Sequence, residues 1–254
     1  MNVMIVSQYE DGIMRPNPCT DLRYPKEKKY EASWYTIDQI NLLLKEILNT
    51  TDPEFFAGIL FAIFYANRRG EICGKRWSDI SFEENKVFVT ETRVRIGDEI
   101  VKGAKNEAST AAMPLMPFMR EVLTSLKKRQ EEFEAMYGQY YEKNDYIIKW
   151  PNGRPYGLDF LNYKLTKIEK KLGLHHVTLH GLRHSAGTLL RFLGHQQSDI
   201  QSWLRHGDAK STQIYVHDTY EFKIPTAEHL DTIFNERLDI ERVLSTLDKT
   251  EAGR

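Results

Sequence analysis

Between Phe55 and Ala66 the chain reads FFAGILFAIFYA, twelve residues without a charge. As a helix, such a segment has no polar face to turn to water, so other elements must cover it on every side. At a rise of about 1.5 Å per residue it reaches only ~18 Å, well short of a hydrocarbon core of about 30 Å. A buried helix is therefore expected here. Asp52-Pro53 opens it, with proline at the first helical position, and the pattern carries it to about Asn67. Upstream, Thr36-Ile37-Asp38-Gln39 has the S/T-x-x-E/Q form of a capping box, followed at helical spacing by Ile37, Ile40, Leu43, Leu44 and Ile47.

The pattern changes at Lys86. The run KVFVTETRVR (Lys86 to Arg95) is β-branched and aromatic, Gly97-Asp98 supplies a turn, and Glu99 to Lys102 and Ala111 to Leu115 offer two more short strands. A small three-stranded antiparallel sheet is the expectation. Helical spacing resumes after Pro117, with Met119, Val122, Leu123, Leu126 and Phe133. It returns from Leu158 to about Leu172, Leu182 to Phe192, Ser198 to Leu204, and Ala227 to Leu247. The first thirty residues differ: Asn17-Pro18, Tyr24-Pro25 and a charged run read as a short helix and an extended linker, with a boundary near Tyr30. The fold class is thus α+β, mainly helical, with one small sheet.

With 254 residues, 41% of them apolar and 28% charged, the chain can bury a full core. The only cysteines, Cys19 and Cys73, are far apart, so neither a disulfide framework nor a cysteine zinc site is indicated. No signal-peptide pattern is present, which makes the cytoplasm the default location and a membrane partner unexpected. The formal charge of −1 argues mildly against nucleic acid. Basic residues are nevertheless grouped, as Arg68, Arg69, Lys75 and Arg76, as Arg93 and Arg95, as Lys102 and Lys105, and as Lys127 to Arg129. They can form a basic face or simply solvated helix surfaces.

Candidate chemistry lies in NRRGEICGKRW, LHGLRHSAGTLL and LRHGDAKSTQIYVH. Arg68 and Glu71 form R-x-x-E, which would place a carboxylate one helical turn from the guanidinium, as an orienting group or an ordinary surface pair. His180 and Arg183, at i and i+3, put an imidazole that exchanges protons near neutral pH beside a fixed positive fork. His206 precedes Tyr215 by nine residues. Two arginines, proton-transfer groups and a tyrosine are the parts needed to attack a phosphodiester: the forks hold phosphate oxygens bidentately and offset the charge of the transition state. A different reading of the same histidines is zinc held by His180, His184 and His206, although it leaves Arg68, Arg183 and Tyr215 unused.

In that order, R-x-x-E, H-x-x-R-H and H-x8-Y resemble the catalytic domain of tyrosine recombinases, the phage integrase family, from about Trp34 to His217. The resemblance implies that Tyr215 is the nucleophile and becomes joined to a DNA 3′-phosphate. It also implies that Arg68 and Arg183 clamp that phosphate, that His180 moves the proton of the tyrosine hydroxyl, and that His206 hydrogen-bonds a phosphate oxygen. A lysine on a turn of the small sheet would be the general acid for the departing 5′ oxygen; Lys105 fits best, with Lys102 competing. The implied reaction is site-specific cleavage and rejoining of double-stranded DNA with no metal or nucleotide cofactor. It would take place in a homo-tetramer on paired sites that exchanges C-terminal helices.

By the same resemblance, residues 31–254 would be the catalytic domain with its exchange helix, and residues 1–30 a remnant or linker of an N-terminal core-binding domain. A catalytically inactive DNA-binding relative and a type IB topoisomerase-like strand transferase stay open. Two positions depart from the family's pattern: Ala66-Asn67 stand where Gly-Leu is usual before Arg68, and Arg205 stands where Gly is usual before His206. Both departures are expected to bear on backbone freedom more than on the reacting groups.

Overall fold

The computed structural model describes residues 33–50, 52–96, 99–103, 111–205 and 223–237, and every structural statement below concerns these. The N-terminal segment 1–30 lies outside them, as do Lys105, His206, Tyr215 and the chain beyond Arg237.

Helix α1 (Ile37–Leu48) starts where the sequence requires. The Gln39 N–H donates to Thr36 Oγ1 at 3.3 Å and the Thr36 N–H to Gln39 Oε1 at 3.0 Å, so two N-terminal amides are satisfied reciprocally. Helix α2 (Pro53–Ile63) is the apolar run, and all eleven of its residues are buried. Asp52 caps it, accepting the Phe55 N–H at 2.8 Å. The helix stops earlier than its composition suggests, because Ala66 takes a left-handed φ of 48° and turns the chain toward Arg68. Helix α3 (Arg69–Cys73) follows at once.

The strands are β1 (Ile80–Ser81), β2 (Lys86–Val89), β3 (Thr92–Ile96), β4 (Glu99–Gly103) and β5 (Ala111–Pro114). An antiparallel three-stranded sheet is present, but its order is β1-β2-β5, while β3 and β4 form a separate antiparallel hairpin. The expected single strand Lys86 to Arg95 therefore breaks at Thr90-Glu91. The cause is Glu91, a buried carboxylate taken up by the fork of Arg76 at 2.9 and 3.2 Å and by the Tyr146 hydroxyl at 3.2 Å. Pairing Glu91 inward redirects the chain, and Thr92 begins a new ladder.

Helices α4 (Pro117–Tyr137), α5 (Phe160–Leu172), α6 (Leu179–Phe192), α7 (Gln197–Leu204) and α8 (Ile224–Arg237) complete the described chain. They enclose α2: α6 packs along it, α1, α3 and α4 also contact it, and α5 lies against α1. A Cβ on Gly58 of α2 would sit 3.3 Å from both Leu161 methyls, so α5 approaches there too. Helix α8 docks on its own chain. Phe234 stacks on Phe118 with ring centroids 3.9 Å apart, Phe64 meets both edgewise, and Asp231 Oδ1 accepts the Phe118 N–H at 2.9 Å, capping α4. No described helix is long and apolar enough to cross a membrane.

At the start of α2, buried Glu54, Gln130 and Tyr156 form a polar group with the partly buried Asp52 and Lys164. Arg129 is also buried, so the basic run Lys127 to Arg129 is not wholly a surface face; Lys75, which donates to Phe88 O at 2.6 Å, is likewise interior. Burial, reinforced by Asp52, pushes the Glu54 carboxyl up to about 7, against the opposing pull of Arg129. Between its ordinary 4.5 and that value the folded chain holds a proton that the unfolded chain has released, so stability falls as pH rises through this window. Glu54→Gln should accordingly match the wild type near pH 4 and exceed it at pH 8 by on the order of 1–3 kcal/mol in urea denaturation. Equal stabilities at pH 8 would contradict the raised carboxyl.

Candidate active site

Three segments converge at the C-terminal end of α2: the turn Ala66-Asn67-Arg68, the first turns of α6, and the end of α7. Trp203 fixes the last of these, since its buried indole N–H donates to Phe64 O at 2.9 Å and brings Leu204 and Arg205 alongside Ala66. Helix α6 is set by its N-cap, Thr178, whose hydroxyl accepts the Gly181 N–H at 3.3 Å. His180 then falls in the first turn on the exposed side, and Arg183 one turn on in the interior. Helix α3 is pressed onto β3: a Cβ on Gly70 would lie 2.4 Å from Thr92 Oγ1 and 2.5 Å from Arg93 O, contacts that only glycine avoids.

The R-x-x-E pair takes a form slightly different from the expected one. Arg68 is the N-cap of α3, with extended backbone, and Glu71 is at N3. One carboxylate oxygen of Glu71 accepts the Arg68 backbone N–H at 2.9 Å, and the other accepts Arg68 Nη1 at 3.1 Å. The carboxylate thus caps the helix and orients the guanidinium together. Arg68 remains about half exposed, while Glu71 is buried. Arg68 Nη2 also lies 3.4 Å from the carbonyl of Arg205.

Arg183 is only 2% exposed. Its Nη1 and Nη2 donate to the carbonyls of Ala66 and Leu204, so it spans the two loops that bound the site. Arg205 was expected to matter through its backbone, and that expectation needs correction. Its φ of 52° does make it a left-handed C-cap, but its guanidinium enters the site. Nη2 donates to Glu71 Oε2 at 2.9 Å, to Asn67 Oδ1 at 3.1 Å and to Ala66 O at 3.3 Å. A positively charged residue next to His206, where the chain needs a left-handed residue, was the one signal available in the sequence.

The electrostatics follow from burial and crowding. Burial first, then the neighbouring charges of Arg68 and Arg205, together lower the Arg183 pKa to about 10, against the opposing pull of Glu71. Burial alone would raise the Glu71 carboxyl, but Arg205, then the backbone N–H and guanidinium of Arg68, outweigh it and hold the group below its ordinary range. Glu71 is bonded to two of these three guanidiniums, those of Arg68 and Arg205. His180 is pushed down by partial burial, then by His184, Arg183 and Arg68, so at neutral pH its ring is a proton acceptor. His184 meets it edgewise, 4.8 Å between centroids.

The structure thus brings together Arg68, His180 and Arg183 of the expected set and adds Arg205. Lys102 lies on β4, in register with Arg93 of β3. Arg76 is committed to Glu91 and Lys75 to the interior. Exposed Arg69 and Arg95 share Asp159, at 2.5 and 3.3 Å. An open cleft of about 500 Å³ lined by Arg93, Trp150 and Arg154 shares no lining residue with the arginine group. No group of three or more His, Cys, Asp or Glu side chains able to hold a metal occurs among the described residues.

The architecture is that of solved integrases. An integrase of the Tn1549 transposon, solved with transposon right end DNA, superposes with a TM-score of 0.65 at 19% identity, covering 90% of this chain and 76% of that one. A lambda integrase dimer bound to a core site gives 0.56 at 18% identity, over 84% and 70%. Residues 34–221 match the phage integrase family, and the chain belongs to that family. Among its relatives, a XerC-like tyrosine recombinase of Caldanaerobacter subterraneus subsp. tengcongensis is 25% identical over 245 residues, 89% of this chain. The tyrosine recombinase XerC of Alcanivorax borkumensis is 25% identical over 82% of it. The chain spans 62% of the length of each of these two relatives.

The His180 environment has a direct test. Its imidazole should titrate below the ordinary histidine value, followed by NMR of the ring protons, and Arg68→Gln should raise the midpoint by removing a positive neighbour. A wild-type midpoint at or above the ordinary value would contradict the described surroundings.

Proposed function

We propose that this chain is the catalytic part of a site-specific DNA recombinase, which cleaves and rejoins strands through a 3′-phosphotyrosine intermediate. The observation that carries the reading is the convergence of three guanidiniums, Arg68, Arg183 and Arg205, around the Glu71 carboxylate, beside a histidine that accepts protons. Such a group suits a phosphodiester, whose charge grows toward the transition state.

In the proposed step, the Tyr215 oxygen attacks phosphorus while its proton passes to His180. The bond from phosphorus to the 5′ oxygen breaks, and that oxygen takes a proton from Lys105, with Lys102 as the competing donor. Arg68 and Arg183 steady the non-bridging oxygens, and His206 donates a hydrogen bond to one of them. Rejoining reverses each transfer: a 5′ hydroxyl attacks the phosphotyrosine and the tyrosine leaves. The phosphotyrosine keeps the energy of the broken bond, so the step needs no metal or nucleotide.

The partner is double-stranded DNA, met in the cytoplasm and paired by a homo-tetramer. Residues 31–254 act as the catalytic domain, and 1–30 are a remnant or linker of a core-binding domain. Ala227 to Leu247 is the candidate for the exchanged helix; the contacts of Phe234 and Asp231, which seat α8 on its own chain, support the alternative that this part packs in cis.

Supercoiled plasmid in excess EDTA tests the reading. The wild type should relax it and leave covalent adducts on denaturation, and Tyr215→Phe should do neither. Cleavage by Tyr215→Phe, or cleavage only with a divalent metal, would overturn it. Arg183→Lys should cleave roughly 10²- to 10³-fold more slowly, since a point charge cannot replace a buried fork; near-normal rates would remove Arg183 from the mechanism.

A further inference from the structure

Arg205 occupies a backbone position that glycine would fill at less cost. At φ 52° and ψ 49° it is left-handed, a conformation in which a Cβ crowds the following carbonyl oxygen. Its side chain then crosses to segments 134 to 139 residues away in sequence and donates to Glu71, Asn67 and Ala66. The Arg205 and Glu71 side chains are 9% and 6% exposed, so this ion pair is formed away from bulk water. A surface charge that happened to follow a helix would show neither property.

The geometry points to Arg205 as a positioning residue for the phosphate clamp, acting on Arg68 through Glu71 and through the Ala66–Arg68 turn. This rests on reading Arg68 and Arg183 as the phosphate site. Glu71 Oε2 is held between the Arg68 backbone N–H and Arg205 Nη2, which fixes the carboxylate plane. With that plane fixed, Oε1 is aimed at Arg68 Nη1. The Arg205 carbonyl receives Arg68 Nη2, so the same residue touches the Arg68 fork directly and also holds the group that orients it. In addition, Arg205 ties the end of α7 to Ala66 O. That sets the spacing of Ala66 O and Leu204 O, the two carbonyls that Arg183 spans.

Glycine at 205 relieves the backbone and removes the side-chain bonds to Glu71, Asn67 and Ala66. The Glu71 carboxylate can then rotate, and Arg68 loses its fixed aim. Because misplacement of a catalytic group by about 1 Å costs roughly 10²-fold in rate, the loss belongs in the chemical step rather than in DNA binding.

The experiment is single-turnover cleavage of a nicked duplex over a range of DNA concentrations, with Arg205→Gly, Arg205→Lys, Glu71→Gln and the double variant Arg205→Gly/Glu71→Gln. Arg205→Gly should lower the maximal rate roughly 10- to 100-fold with half-saturating DNA changed by less than about twofold, and Arg205→Lys should recover part of the rate. In the Glu71→Gln background, Arg205→Gly should cost little more, because both variants break the same connection. As a readout that needs no DNA, the Glu71 carboxyl followed by 13C NMR should titrate higher in Arg205→Gly than in the wild type. A wild-type rate for Arg205→Gly, full additivity with Glu71→Gln, or an unmoved Glu71 titration would each overturn the assignment. Absence of any Tyr215-dependent adduct from the wild type would instead sink the recombinase reading, while the Glu71 titration still reports on the Arg205 contact.

Discussion

The buried carboxylate of Glu71 is the interaction on which the arrangement depends. Three guanidiniums approach one another at the end of α2, and Arg183, the most deeply buried, has its pKa lowered to about 10. Without a counter-charge, that crowding in a poorly hydrated site would drive the segments apart. Glu71 meets two of the three and caps α3 with the same oxygens. The carboxylate offsets part of the repulsion and, under the proposed function, holds the group ready to receive a phosphate with little rearrangement.

The rest of the fold supplies the positions from which these side chains reach. Helix α2 is buried throughout, so its end cannot shift without disturbing the core that α1, α4 and α6 build around it. Trp203 joins α7 to that end through Phe64 O, and Gly70 lets α3 lie on β3 closer than any side chain would permit. Each of these contacts is far from Arg68 in chemistry, yet each fixes a segment that carries one of its partners. Arg68 and Arg205 sit on short turns and His180 and Arg183 on α6, whereas their precision comes from the buried helix they adjoin.

Local features were legible in the sequence wherever the determining contacts are themselves local. The Thr36 capping box, the Asp52-Pro53 start and the His180–Arg183 spacing all depend on residues within one turn of each other, and all appear as read. Long-range contacts were not legible. The strand beginning at Lys86 breaks because Glu91 is claimed by Arg76 and Tyr146, the latter 55 residues away. Helix α2 ends early because Ala66 turns left-handed with no glycine or proline to announce it. Arg205 read as a departure in backbone type because its partners Glu71 and Asn67 are more than 130 residues upstream. Lys75 and Arg129 looked like members of a basic face, but composition does not reveal that a charged side chain points inward.

The most direct test of the central claim is to identify the residue that carries DNA. Wild-type protein incubated in EDTA with a nicked duplex, then denatured, digested with protease and nuclease and analysed by mass spectrometry, should yield one phosphonucleotide-modified peptide, with the modification on Tyr215. A modification on another residue, or DNA cleaved with no modified peptide, would contradict an arginine-clamped phosphate attacked by that tyrosine.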